Sequence, residues 1–393
     1  MWPPALPLVI QSELSETSTD NAIAELVHSD RICEINLYCT TTSHVETLCR
    51  AMRVPFPELV VLYLSFPSYV PVLPDSFLEG SAPRLRQLTL VASPFPGLPK
   101  ILLSATHLVD LRLIGIPHSG YISPEVMVTC LSMLTKLEQF QLEFKSSQSS
   151  PYQGNQHSPR PTRSTLPALK IFWFKGVSDY LEDLVSRINS PQVYWLSISF
   201  FNHIHFDTPE FGQFISRTPT LGAYTEAHLT FYNDKGLFRL QSHKLSGSRM
   251  VQIIISCQVP DRLVSSLAQV CTMPLRLLST IENLYIYEDQ YYPLNWNADI
   301  ELDILLPFIA VKNFYLSKKL APRIAPALQE LTGGGATEVL PALQNVLLEG
   351  FEPSGPVQEG IAQFISARLL INHTITVSLC LWDREREAFI YYE

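Results

Sequence analysis

Pro83-Arg84-Leu85-Arg86-Gln87-Leu88-Thr89-Leu90 decides how the rest of the chain is read. Leu85, Leu88 and Leu90 stand in the spacing L-x-x-L-x-L, and the last two alternate with polar residues as a half-buried strand requires. The phrase returns as Pro57-Glu58-Leu59 leading to Leu62 and Leu64, as Pro167-Ala168-Leu169 leading to Phe172 and Phe174, and as Pro341-Ala342-Leu343 leading to Val346 and Leu348. Without the proline it returns at Leu108, Leu111, Leu113, at Leu137, Phe140, Leu142, at Ile281, Leu284, Ile286 and at Val311, Phe314, Leu316.

Between these strands lie segments with apolar residues at helical spacing, such as Ile23, Leu26, Val27 and Val126, Cys130, Leu131, Leu134. Equivalent strand centres, Ile35, Leu62, Leu88, Leu111 and Phe140, follow one another at steps of 27, 26, 23 and 29 residues. One strand and one helix per step is the length of a leucine-rich repeat. The expected fold class is therefore α/β: a leucine-rich repeat solenoid over residues 1–393, with about a dozen repeats. Its parallel β-sheet would line the concave face and its helices the convex face. The uneven step predicts an irregular horseshoe. Residues 145–165, rich in Ser and Pro, are expected as a disordered loop inside the solenoid, because they hold too little apolar surface to offset ordering entropy. The charged and aromatic stretch 382–393 is expected to cap the last repeat. Tyr224 to Phe231 and Met250 to Cys257 fit the template least well.

Composition sets limits on function. The net charge of -9 argues against a surface built to neutralise phosphates, so nucleic acid is not an expected partner, and it gives only a weak preference for basic ones. Seven scattered cysteines, with no C-x-x-C pair, read as reduced thiols and argue against a disulfide framework or a zinc site. Met1 to Ile10 is apolar but has no basic flank and three prolines, unlike a signal peptide. No apolar run approaches the length of a membrane span. The expected location is cytoplasmic or nuclear.

Catalytic patterns are sparse. His203-Ile204-His205 would point two imidazoles to one face of a strand and could ligate a metal for a hydrolase, but no second ligand cluster accompanies it. Gly333-Gly334-Gly335 lacks the Lys-Ser/Thr of a phosphate loop and reads as a helix cap and hinge. Glu288, Asp289, Asp299, Glu301 and Asp303 read as solvated acids. The chain is accordingly read as a non-enzyme, with no cofactor and no metal. What remains is the face of the strands turned away from the leucines. Reading the residue between the paired core positions gives Asn36, Tyr63, Thr89, Arg112, Gln141, Trp173, Ser197, His228, Ile254, Tyr285, Tyr315 and Leu347, with Lys175, Trp195 and Tyr287 beside them. Trp, Tyr and Arg are enriched at binding hot spots. Tyr63, Arg112, Trp173, Lys175, Trp195, His228, Tyr285, Tyr287 and Tyr315 are therefore the candidate protein-binding residues.

The recurring P-x-L-x-x-L-x-L strands, with Pro74-Asp75-Ser76-Phe77-Leu78, Leu103-Ser104-Ala105-Thr106-His107-Leu108, Ile116-Pro117-His118-Ser119-Gly120-Tyr121-Ile122 and Ala321-Pro322-Arg323-Ile324-Ala325-Pro326-Ala327-Leu328, resemble the repeat region of the F-box-like proteins of mushroom-forming fungi. The resemblance implies a horseshoe that selects a protein target. In complete members an N-terminal F-box docks on the Skp-type adaptor of a cullin-RING ubiquitin ligase. No helical F-box precedes Trp2, so the expectation is a shortened gene reading or a repeat-only member, and adaptor docking is carried over only if an upstream F-box exists. The alternative is a stand-alone repeat scaffold or decoy with no ligase link.

Overall fold

The computed structural model describes residues 6–14, 16–39, 42–66, 72–147, 163–201, 208–222, 224–242, 249–257, 259–272, 276–288, 300, 302–330, 338–349 and 356–380. His203, His205, the Gly333 triplet, Asp289, Asp299, Glu301, positions 148–162 and the expected cap at 382–393 lie outside these residues. The fold is α/β. It divides into two compact units, one running to Phe201 and including Thr208–Leu221, the other covering the chain from Gly222.

In the first unit the strands are β1 (Leu8–Leu14), β2 (Ile32–Cys39), β3 (Val61–Ser65), β4 (Gln87–Val91), β5 (Asp110–Ile116), β6 (Gln139–Phe144), β8 (Ile171–Gly176) and β10 (Trp195–Phe201), parallel and in chain order. A separate two-stranded pair joins β7 (Ser164–Thr165) to β9 (Ile188–Asn189). Ser164 and Thr165, at the end of the segment expected to be disordered, are thus part of a strand, because the backbone amide of Ser164 donates to the carbonyl of Arg187 at 2.8 Å. The helices are α1 (Glu16–Leu26), α2 (Thr42–Ala51), α3 (Leu98–Ser104), α4 (Pro124–Met133), α5 (Ser178–Ser186) and α6 (Pro209–Arg217). Ser123 caps α4 by accepting from the Val126 amide at 3.3 Å, with Pro124 in the first turn where no amide is needed.

Register follows the sequence repeat. Ile10, Ile35, Leu62, Leu88, Leu111, Phe140, Phe172 and Leu196 stand side by side across the eight strands. All are at most 2% exposed, and each such side chain contributes on the order of 1.5–3 kcal/mol of burial. The first leucine of each phrase closes a turn just before its strand. The amide of Leu85 donates to the carbonyl of Ala82, Leu59 to Phe56, Leu108 to Ala105, Leu137 to Leu134, Leu169 to Leu166 and Val193 to Ser190. Pro57, Pro83, Pro167 and Pro191 occupy the second position of these turns, where a fixed φ is an advantage. After each turn, one carbonyl accepts two successive amides from the next strand: Val60 from Arg86 and Gln87, Arg86 from Val109 and Asp110, Val109 from Glu138 and Gln139, Glu138 from Lys170 and Ile171.

The second unit contains β11 (Glu226–Phe231), β12 (Lys235–Gln241), β13 (Met250–Ser256), β14 (Asn283–Glu288), β15 (Asn313–Leu316), β16 (Asn345–Glu349) and β17 (Thr376–Cys380), in the order β13-β12-β11-β14-β15-β16-β17. Its helices are α7 (Pro260–Thr272), α8 (Ala321–Glu330) and α9 (Pro356–Leu370). From β11 through β14 to β17 the strands are parallel, and Ala227, Leu284, Phe314, Val346 and Val377 share one row. The turn and the shared carbonyl recur here. Leu343 donates to Leu340, and Lys312 accepts from Gln344 and Asn345.

Three further expectations are corrected. The sheet is not parallel throughout: β11 with β12 and β12 with β13 are antiparallel, and β12 is a strand absent from the repeat reading. The physical reason is a tight connection through Tyr232, Asn233 and Asp234, where Tyr232 donates to Lys235 at 2.9 Å and leaves no room for a crossover helix. α7 then packs close on this hairpin. A Cβ at Gly236 would stand 2.6 Å from Leu267 Cδ1. Ile254 of β13 therefore pairs with Leu237 of β12 instead of standing next to His228 in the ladder. Finally, the expected one helix per step is replaced between β3 and β4 by a short 3-10 turn at Phe77–Gly80, and the segment between β14 and β15 contains a 3-10 turn at Leu302–Ile304.

Candidate binding face

Strand alternation puts the candidate residues on the sheet face opposite the leucine rows. In the first unit this open face has three rows. The middle one runs Gln11, Asn36, Tyr63, Thr89, Arg112, Gln141, Trp173, Ser197. On one side lie Glu34, Val61, Gln87, Asp110, Gln139, Ile171 and Trp195, and on the other Tyr38, Ser65 and, further along, Glu143, Lys175 and Ser199.

Arg112 is the most constrained of these. Its Nε lies 3.1 Å from Asp110 Oδ1, its Nη2 donates to Gln139 Oε1 at 3.1 Å, and its guanidinium carbon stands 5.9 Å from the centre of the Trp173 ring. The carboxylate and the amide fix the guanidinium plane, and the indole adds a cation–π contact. Trp173 and Trp195 are half-buried, and Trp195 Nε1 has no hydrogen-bond partner among the described residues. Lys175 extends its Nζ to 5.6 Å from the Phe201 ring. Tyr63 pairs with Tyr38, ring centres 4.9 Å apart, and burial, reinforced by the hydrogen bond to Tyr38, raises its phenol above the ordinary value. The structure thus brings Arg112 and Trp173 together and sets Tyr63 apart, two strands away from Arg112.

The second unit holds the other four candidates in a single cluster. His228 stacks on Tyr285 at 4.5 Å and Tyr285 on Tyr315 at 4.2 Å, with the planes within 10°. Tyr287 meets the His228 ring edge-on, and at 6% exposure it contributes little contact area to a partner. Around the histidine lies a buried polar network. Glu226, 2% exposed, is 2.9 Å from Gln241 Nε2, which is also 2.9 Å from His228 Nε2. A carboxylate can only accept, so Gln241 turns its NH₂ group to Glu226, and the nearby His228 nitrogen accepts from that same group. Arg239 of β12 stands opposite His228 and donates to Gln252 at 3.3 Å.

A second ladder runs beside the stack. Asn313 Nδ2 donates to Asn283 Oδ1 and Asn345 Nδ2 to Asn313 Oδ1, each at 2.8 Å. This ladder, exposed Tyr38 and the Glu226–Gln241 pair went unread in the sequence, where only the middle row and its nearest aromatics were taken. Asn283, Asn313 and Asn345 each precede the core leucine position by one residue, a signal that was open to the same spacing argument.

Among the described residues, no group of three or more His, Cys, Asp or Glu side chains could hold a metal ion, and no helix is long and apolar enough to cross a membrane. No protein-family model matches the chain, and a search of the curated proteins finds none that matches it.

Proposed function

We propose that both units are built of leucine-rich repeats forming an irregular horseshoe, strands concave and helices convex, and that the open strand face binds a protein target without catalysing a reaction. The turn repeated before six strands of the first unit and before β16 of the second, and the carbonyl shared by two amides, support the repeat assignment. The observation that carries the binding reading is the Arg112–Trp173 contact. A guanidinium locked by Asp110 and Gln139 beside a half-buried indole offers a pre-organised hot spot on rigid strands. By resemblance to the fungal F-box-like proteins, the target would be selected for ubiquitylation, with a Skp-type adaptor engaged through an F-box.

The stand-alone scaffold reading has one observation in its favour. His228, Tyr285 and Tyr315 spend their ring faces on one another, as a structural stack would. Affinity purification from the source cells separates the two readings by comparing the natural chain with a Trp173→Ala/Tyr285→Ala/Tyr315→Ala variant that keeps its circular dichroism. Loss of a specific protein in the variant supports target binding, and a co-purified Skp-type adaptor supports the ligase link. Identical recovery by both would leave the face a structural one and the chain a scaffold.

A further inference from the structure

The open face of the first unit is not evenly charged. Over β1, β2 and β3 it presents Val9, Gln11 and Glu13, then Glu34, Asn36 and Tyr38, then Val61, Tyr63 and Ser65. These rows carry two carboxylates and no cation. Further along the same face each acid has a basic neighbour: Asp110 pairs with Arg112 at 3.1 Å, and Glu143 stands opposite Lys175 in register. At the β1 end Asn36 Nδ2 donates to Glu34 Oε1 at 2.6 Å and so fixes that carboxylate without neutralising it. Glu13 is exposed, Tyr38 is 45% exposed and Val9 56% exposed, so this end is open to a partner.

Glu13 and Glu34 lie one strand and two rows apart, which ordinary strand geometry makes roughly 13–14 Å. Gln11 and Asn36 fill the row between them, the Tyr38 ring stands beside Glu13 in register, and Tyr63 follows Asn36 on the next strand. A cationic side chain here gains a carboxylate and an aromatic ring together, while a phosphate-bearing partner, whether nucleic acid or anionic lipid, is repelled. Extended peptide rises about 3.3 Å per residue, so side chains four residues apart span the two carboxylates. We infer that the β1–β3 end of the open face takes a basic, extended segment of a protein partner, with Lys or Arg side chains at Glu13 and Glu34, the chain between them over Gln11 and Asn36, and the Tyr38 and Tyr63 rings flanking it. This rests on the reading of the open face as a binding surface and adds the chemistry of what binds.

The test uses the full chain at low salt and two fluorescein-labelled octapeptides, one alternating Lys and Ser, the other Glu and Ser. The Lys peptide should bind and the Glu peptide should not. Glu13→Gln/Glu34→Gln should weaken the Lys peptide about fivefold, the sum of two exposed charge contacts. Glu79→Gln/Glu125→Gln, which removes the same charge from exposed positions elsewhere, should weaken it less than about twofold. Equal losses in the two variants would overturn the inference, since the attraction would then be only that of the net charge. The two readings fail separately. A cellular target that depends on Trp173 but not on Glu13 and Glu34 would sink the basic-segment inference and keep the binding face; dependence on neither would sink both.

Discussion

Phe172→Ala tests the registered core directly. Phe172 is fully buried on β8, with Phe140 of β6 on one side and Leu196 of β10 on the other. Its ring stacks on Phe140 at 5.5 Å and 6°, and meets Phe214 of α6 edge-on at 6.4 Å. Removing it loses the transfer energy of the ring, leaves a cavity between sheet and helix, and breaks two aromatic pairs. Phe→Ala in a core costs about 3–5 kcal/mol, and ring pairs of about 0.5–1.5 kcal/mol place this site in the upper part of that range. Phe172→Leu restores the leucine of the repeat and should cost about 1–2 kcal/mol. Urea unfolding followed by tryptophan fluorescence is a suitable assay, because Trp173 and Trp195 both lie in this unit. A double-mutant cycle with Phe140→Leu should show coupling of about 1 kcal/mol, whereas Leu62→Ala, four strands away, should add independently within about 0.5 kcal/mol. A cost under about 2 kcal/mol for Phe172→Ala, or no coupling to Phe140, would refute the register-based account.

Three further outcomes are expected. Gly176→Ala should destabilise by about 1–3 kcal/mol in the same assay, because its Cβ would stand 2.6 Å from Phe174 Cζ and 2.9 Å from Phe144 Cδ2, in a ring cluster that has no slack. Asn313→Ala should cost about 0.5–1.5 kcal/mol, and Asn283→Ala on that background little more, since the half-buried ladder is already cut; equal and additive losses would show that the amides do not act as a chain. Burial pushes the thiols of Cys39 to about 12 and of Cys49 and Cys130 to about 11. The folded state keeps protons that the unfolded thiols release, so stability should fall as pH rises above about 9, by at most about 1.4 kcal/mol per thiol per pH unit, and Cys130→Ala should make the fall of the urea midpoint between pH 8 and 10 shallower.

Much of the repeat was legible because its signal is local. The alternation of Leu88 and Leu90 around Thr89 states which side of the strand is buried, and the turn ahead of Leu85 is written in Pro83. Both are decided within eight residues, so neither depends on what lies elsewhere in the chain. The short 3-10 turn at Phe77–Gly80 was harder to foresee. Leu78 and Glu79 there adopt φ near +50°, a conformation that no spacing of apolar residues announces. The antiparallel insertion was hidden for another reason. In β12 the adjacent Leu237 and Phe238 are both buried, and in β11 so are Leu229 and Thr230, so both faces of these strands look inward and burial does not follow the period of two. Only Asn233-Asp234 marked the reversal, and a hairpin does not fit a template of one helix per strand.

That insertion also divides the candidate residues by role. In the second unit, Arg239 and Gln241 arrive on β12 and meet His228 and Glu226, so the polar face there is filled from within the unit. Ring faces are spent on ring faces, Tyr287 is buried, and the asparagine ladder links its amides to one another along the strands. Such a network favours rigidity over adhesion, because its groups enter a complex already paired. Arg112 and Trp173 stand differently. Their neighbours along the row, Thr89, Gln141 and Ser197, carry no aromatic ring and leave the half-buried indole accessible. A target bound by this chain should therefore lose more affinity to Trp173→Ala alone than to Tyr285→Ala/Tyr315→Ala, while thermal stability should respond in the opposite order. If the tyrosine pair instead dominates affinity and leaves the melting temperature unchanged, the stack is the recognition surface and the Arg112–Trp173 contact is the scaffold.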